Sequence, residues 1–154
     1  MALLTTSFKT PIGTLHLVAD EHILVSASFN ESAIADEAVR VKRVPIISEL
    51  LNDYFDGDLN AINAIAVRQA GPTFSQSAWK AMRKIKPGKV LSYADLAVRA
   101  GSASAVRAAG SACAKNAIVI VVPCHRIVKT GGALGNYAYG LNAKEWLLRH
   151  EGAI

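Results

Sequence analysis

Ile118-Val119-Ile120-Val121-Val122-Pro123-Cys124-His125-Arg126 is the stretch on which the reading of this 154-residue chain turns. Five β-branched residues in a row predict a strand buried on both faces, and proline, with no N–H for a ladder, ends it at Pro123. Cys124 then stands at a strand end beside a base and a permanent cation. The thiolate is the reactive form of cysteine, and its pKa falls next to His or Arg, so the group reads as an activated nucleophile. Successive strand side chains point to opposite faces, so His125 is expected to reach the Cys124 sulfur through a water unless the backbone turns there. The plainer reading makes Cys124 a small buried hydrophobe and His125 a satisfied core histidine. The clustering of three reactive groups favours function.

Moving outward, Phe74, Ala78, Met82 and Ile85 recur at helical spacing, and Trp79 flanks that stripe as a core residue. The helix is expected to stop at Pro87-Gly88. Ser92 with Asp95 three residues later is a capping-box pattern that opens a short helix ending at Gly101. Another helix is expected from about Ala103, built from small residues that include Ala105, Ala108, Gly110 and Ser111. Helix, Gly-containing turn and second helix is the helix-turn-helix outline, and a slim second helix suits close approach to a groove. Close helix packing without any ligand explains small residues equally well. Arg107 is the one long charged side chain in that run, placed to probe a duplex or, more plainly, to pair with a surface carboxylate. Glu151 sits in the last turn of a C-terminal helix capped by Gly152, where its charge opposes the macrodipole. His125 is one candidate partner for it.

Charge supplies the next constraint. Residues 1–71 carry 5 Lys/Arg against 9 Asp/Glu, a net −4, and residues 72–154 carry 12 against 3, a net +9. The basic half suits a polyanion, with nucleic acid first among them, although a solvated basic surface is common. The acidic half alternates apolar and polar residues around Thr10-Pro11-Ile12-Gly13 and Asp20-Glu21, an antiparallel meander, followed by a helix near residues 46–55 that ends at Asp56-Gly57-Asp58. Composition switches near Ala70-Gly71-Pro72, dividing the chain into domains 1–70 and 71–154. With 51% hydrophobic residues the chain can bury a core. No leader or apolar run of about 18 residues is evident, so a reduced interior compartment without a membrane span is expected. His16, His22, His125 and His150 are scattered and no C-x-x-C occurs, so no metal and no cofactor are expected.

Taken together, Pro123-Cys124-His125-Arg126-Ile127, Ser92-Tyr93, Asn116, Gly135-Asn136-Tyr137 and Lys144-Glu145-Trp146-Leu147-Leu148 closely resemble the O6-alkylguanine-DNA alkyltransferases, over residues 71–152. The first half is similar only in outline. The resemblance implies an α/β (α+β) protein: a ribonuclease-H-like mixed N-terminal domain, then a mainly helical, winged-helix-like domain with the helix-turn-helix. It implies direct repair of alkylguanine in duplex DNA, O4-alkylthymine remaining open, by extruding the base and moving its alkyl group to Cys124 once per molecule. Under it, Glu151, His125 and a water remove the thiol proton, and Asn116 braces the turn before the active-site segment. Tyr93 acts on the phosphate and base, Arg107 fills the vacated stack, and Ala105, Ala108, Gly110 and Ser111 enter the minor groove. Ile127, Tyr137, Ala138, Tyr139 and Cys113 line the pocket.

The partner so implied is double-stranded DNA carrying alkylated guanine, met by a monomer whose cooperativity on DNA stays open. The expected location is the cytoplasm, at the nucleoid in a prokaryote, or the nucleus in a eukaryote. Ala117 stands where the family usually has proline, and Tyr139 where a small residue is common, so Tyr139 is expected to narrow the pocket against bulky alkyl groups. Some relatives carry an N-terminal zinc site whose residues are absent here. Two rivals remain: a module that recognises alkylated bases without reacting, which lacks the cysteine, and a Cys-His hydrolase or thiol transferase that turns over.

Overall fold

The computed structural model describes residues 2–154. The chain divides into two units, one running to Gln69 and taking in Ala117–Val121, the other made of Ala70–Asn116 and Val122–Ile154. The return of five residues to the first unit leaves no mark in the composition.

In the first unit, β1 (Leu3–Thr10), β2 (Gly13–Asp20) and β3 (Ile23–Ser28) form the expected meander. Thr10 pairs with Gly13 across the first turn, where Gly13 has φ +130°, a value that only glycine adopts readily. β4 (Val39–Arg40) joins β1 and β5 (Ala66–Val67) joins β3, both in parallel, giving a mixed five-stranded sheet of order β4-β1-β2-β3-β5. The helix α1 (Ile47–Phe55) buries Ile47, Leu51 and Tyr54, a spacing of i, i+4 and i+7 that presents one apolar face. Full burial of each such side chain contributes about 1.5–3 kcal/mol.

The second unit holds α2 (Thr73–Arg83), β6 (Leu91–Ser92), α3 (Tyr93–Arg99), α4 (Val106–Ala114), β7 (Ile127–Val128) and α5 (Leu141–His150). α2 stops at Arg83, four residues short of the expected Pro87, but Ile85 is still buried. Trp79 is core, and its indole N–H donates to the Ala112 carbonyl of α4 at 2.9 Å. Ser92 caps the helix as read, its hydroxyl accepting from the Asp95 amide at 3.0 Å. α3 ends before Gly101, whose φ is +105°. α4 begins at Val106, later than Ala103, because Ala103 and Ser104 form a turn and Ala105 is the N-cap. β6 and β7 pair in parallel, Leu91 opposite Ile127.

The buried strand expected over residues 118–122 does not form. Ile118 makes a single parallel bridge to Ala27, with the Ala27 amide on Ala117 O at 2.9 Å and the Val119 amide on Ala27 O at 3.0 Å. The Val121 amide then bonds Val119 O at 2.9 Å around Ile120, whose φ of +73° is the rarer, strained form of a three-residue turn. All five residues are nonetheless buried. Their β-branched character reported burial, which periodicity alone does not distinguish from extension.

Candidate active site

Backbone turning at Pro123 places the reactive groups. The Cys124 amide bonds Val122 O at 2.8 Å around Pro123, whose φ −83° and ψ 66° describe the relaxed three-residue turn. Cys124–Arg126 then wind one 3-10 turn before β7. The alternation assumed for a strand therefore does not apply to Cys124 and His125.

Cys124 is buried, with 5% of its surface exposed. Burial pushes its thiol pKa up, while a hydrogen bond from the Asn116 side chain and the charge of Lys144 pull it back. Asn116 is itself buried, and its amide donates to Val122 O at 2.8 Å, so it ties the two sides of the 117–121 excursion and faces Cys124. Cys113 is half-buried on α4, and its thiol is pushed up to about 12, first by burial and then by Cys124. That makes it a poor nucleophile at neutral pH.

His125, Arg126 and Glu151 form a dry ionic cluster. His125 Nε2 lies 2.9 Å from Glu151 Oε2, Arg126 Nε donates to Oε1 at 2.8 Å, and Arg126 Nη2 donates to Oε2 at 2.9 Å. The third Arg126 donor, Nη1, bonds Ile85 O at 2.6 Å. Burial alone would raise the Glu151 pKa, but His125 and Arg126 hold its carboxyl well below the usual carboxylate range. Burial lowers the His125 pKa against the pull of Glu151, so the ring is neutral at neutral pH. An ionised Glu151 can only accept, which puts the proton of the neutral ring on Nε2 and leaves Nδ1 as the base. Nδ1 has no hydrogen-bond partner among the described residues, although it is buried.

Lys144 enters the sequence reading only within the Lys144–Leu148 motif and is given no role there. It is fully buried on α5, and its ammonium donates to Ile127 O and to Asn136 O, the latter at 3.2 Å. Burial lowers its pKa, and the two cysteines raise it. The signal was available: Lys144 takes an apolar-stripe position with Ala143, Leu147 and Leu148. Arg126 as the second partner of Glu151 was missed as well.

Tyr93 opens α3, half-buried, with Gly135 packed on its ring: a Cβ on Gly135 would come within 3.2 Å of the Tyr93 hydroxyl. Burial raises the Tyr93 pKa, and a backbone hydrogen bond from Asn136 opposes that shift. Ile127 is fully buried, Ala138 is exposed, and Tyr137 and Tyr139 meet edge to face at 5.9 Å. On α4, Ala109 and Ala112 face the core, Arg107 and Ser111 are exposed, and Ala105, Ala108 and Gly110 are half-exposed. A Cβ on Gly110 would meet no atom within 4 Å. Among the described residues, no group of three or more His, Cys, Asp and Glu is placed to hold a metal ion. None of the described helices is long and apolar enough to cross a membrane.

Comparison with known proteins gives a consistent set of likenesses. Residues 73–153 match the family model described as 6-O-methylguanine DNA methyltransferase, DNA binding domain. The chain is 36% identical to the methylated-DNA–protein-cysteine methyltransferase of Salmonella typhimurium, covering all of this chain and 98% of that one. The human protein of the same name is 47% identical over 53% of this chain and 42% of its own length. Among solved structures, Mycobacterium tuberculosis OGT in complex with DNA superposes with a TM-score of 0.86 at 30% identity, covering 97% of this chain and 92% of that one.

Proposed function

The chain belongs to the 6-O-methylguanine DNA methyltransferase family, and from that premise we propose that it repairs O6-alkylguanine in DNA by moving the alkyl group to Cys124. The observation that carries the assignment to Cys124 is the buried His125, whose only unpartnered nitrogen is the basic one.

The chemistry follows from the charges. Because burial keeps Cys124 a thiol at rest, deprotonation accompanies attack, and a neutral His125 held by an ionised Glu151 is the matching base. The thiol proton passes to His125 Nδ1, directly or through one water. As the sulfur forms its bond to the alkyl carbon, the bond from that carbon to guanine O6 breaks. The electron pair stays on the guanine, which takes up a proton at N1. Glu151 stabilises the imidazolium that forms, and Arg126 keeps the carboxylate ionised throughout. The thioether product has no good leaving group, so each molecule reacts once and the protein is consumed.

Substrate access follows the same reading. An alkyl group on O6 is out of reach inside a duplex, so the nucleotide rotates out at a cost of a few kcal/mol, offset by contacts to DNA. α3 and α4 act as the helix-turn-helix, with α4 in the minor groove, where the degenerate base pattern permits repair in many sequences. The open space over Gly110 and the exposure of Arg107 support this use of α4. Arg107 takes the vacated place in the stack, and Tyr93 and Asn116 orient the nucleotide and the thiol. Ile127, Ala138, Tyr137, Tyr139 and Cys113 surround the base.

Intact mass after incubation with an oligonucleotide holding one O6-methylguanine tests the proposal. One methyl gained per molecule, absent in Cys124→Ser, is the expected result. Lesion loss without protein modification would show a turnover enzyme instead, and tight binding without mass change a recognition module.

A further inference from the structure

Beside the α4 surface, the second unit carries a separate basic cleft of about 520 Å³ lined by Ser77, Lys80, Ala81, Lys84 and Arg99. Lys80 and Lys84 stand one turn apart on the α2 side, and Arg99 ends α3. All three are exposed, and none of their side chains forms an ion pair or hydrogen bond among the described residues. No carboxylate lines the cleft. α2 contains no acidic residue at all. The acid nearest in sequence to Arg99 is Asp95, one turn back on α3, and it makes no ion pair with it.

Like charges at i and i+4 repel, and a third cation across the cleft adds to that repulsion. The negative ends of α2 and α3 favour all three cations, Lys80 in the last turn of α2, Lys84 at its C-cap and Arg99 in the last turn of α3, but they do not account for the absence of acids from the cleft. A concave site lined by a single sign of charge concentrates field and attracts counterions of the opposite sign. We propose that this cleft holds the phosphate backbone of the same duplex, away from the lesion. The inference rests on the reading of the protein as a DNA repair enzyme.

Position supports the occupant. Tyr93 and Arg99 are the two ends of α3, about 9 Å apart at 1.5 Å per residue. Phosphates recur about every 3.4 Å along each strand. A strand that runs along α3 from Tyr93 reaches the level of the cleft about three nucleotides on. A grip there carries no sequence information and fixes the register of the protein on the duplex.

The test is the salt dependence of binding to a 24-base-pair duplex with one O6-methylguanine, measured in a Cys124→Ser background so that no reaction intervenes. K80Q/K84Q/R99Q should lower the slope of log K against log salt by about 2–3, from roughly 0.9 per phosphate. K84Q alone, at an exposed position, should lower it by about one, which keeps the test decisive if the triple variant folds poorly. R40Q/K42Q/R43Q, an equal neutralisation on the first unit, should leave the slope unchanged. With Cys124 restored, all of these variants should react with free O6-methylguanine base at the wild-type rate. An unchanged slope in the cleft variants, or an equal drop in the first-unit control, would overturn the proposal. So would DNA-free self-association that the triple variant abolishes, which would assign the cleft to a second copy. Failure of the wild type to accept a methyl group would overturn the repair reading and leave the salt slopes interpretable by themselves.

Discussion

Arg126 holds Glu151 with two parallel hydrogen bonds, Nε to Oε1 at 2.8 Å and Nη2 to Oε2 at 2.9 Å, both side chains fully excluded from solvent. Breaking a buried pair from one side leaves the other charge uncompensated, which costs about 3–5 kcal/mol. Arg126→Met should therefore lower the thermal midpoint by many degrees. It should also slow methyl transfer, since His125 loses the support of an ionised carboxylate. A midpoint within a degree or two of wild type would show that the cluster relaxes without Arg126.

Stability should fall as pH drops from 7 towards 5. The folded His125 pKa is depressed, so below the unfolded value of about 6.5 the unfolded chain binds a proton that the native ring refuses. Glu151 acts in the same direction at lower pH. Its folded pKa is depressed, so its contribution is present above the unfolded value near 4.3 and fades as pH falls towards the folded one. His125→Gln should flatten the upper part of this profile in denaturant titrations. A wild-type curve already flat from 7 to 5 would contradict a neutral buried His125.

Lys144→Met should raise the thiol pKa of Cys124 further, because it removes the one ammonium that favours the thiolate. A thiol pKa higher by one leaves about tenfold less thiolate at pH 7.5, and alkylation of Cys124 by iodoacetamide should slow in proportion. The pH at half-maximal rate should move up. If the rate drops without that move, Lys144 acts only by pinning Ile127 and Asn136.

Two glycines should respond in opposite ways to alanine. A Cβ at Gly71 would sit 2.6 and 2.9 Å from Trp79 ring carbons, and Trp79 cannot shift without straining its bond to Ala112. Gly71→Ala should cost about 1–3 kcal/mol of stability. Gly110 lies inside α4 with open space around it, so Gly110→Ala should stabilise the free protein by up to about 1 kcal/mol. It should weaken duplex binding if α4 enters a groove. Chemical denaturation and duplex titration of both variants provide the measurement.

Tyr139, edge-on to Tyr137, should restrict the size of the alkyl group accepted. Tyr139→Gly should raise the rate with O6-benzylguanine relative to O6-methylguanine several-fold. Equal ratios in the two proteins would remove Tyr139 from substrate selection.

The helices and the meander were legible because their signals are local: Ser92 with Asp95, glycine at position 13, and one apolar face on α1. Cys124 beside His125 stood out because the pair is adjacent in sequence, and Glu151 was one open candidate partner of His125, which the structure brings to 2.9 Å from it. What escaped is non-local. Whether Ile118–Val122 pairs as a strand depends on a neighbour at Ala27, some ninety residues away, that offers one bridge only. Lys144 escaped because a lysine signals solvent, and only the folded chain supplies Ile127 O and Asn136 O to satisfy it.

Ala117–Val121 visits the first unit between two stretches of the second, with Asn116 bonded to Val122 O at the neck of the visit. No crossover between two parental genes at the composition switch would exchange whole folding units. A chimera that took its first 69 residues from a relative would present a foreign Ala27 position to the native Ile118 bridge. To inherit a matched unit it would need a second, five-residue graft, ending three residues before Cys124.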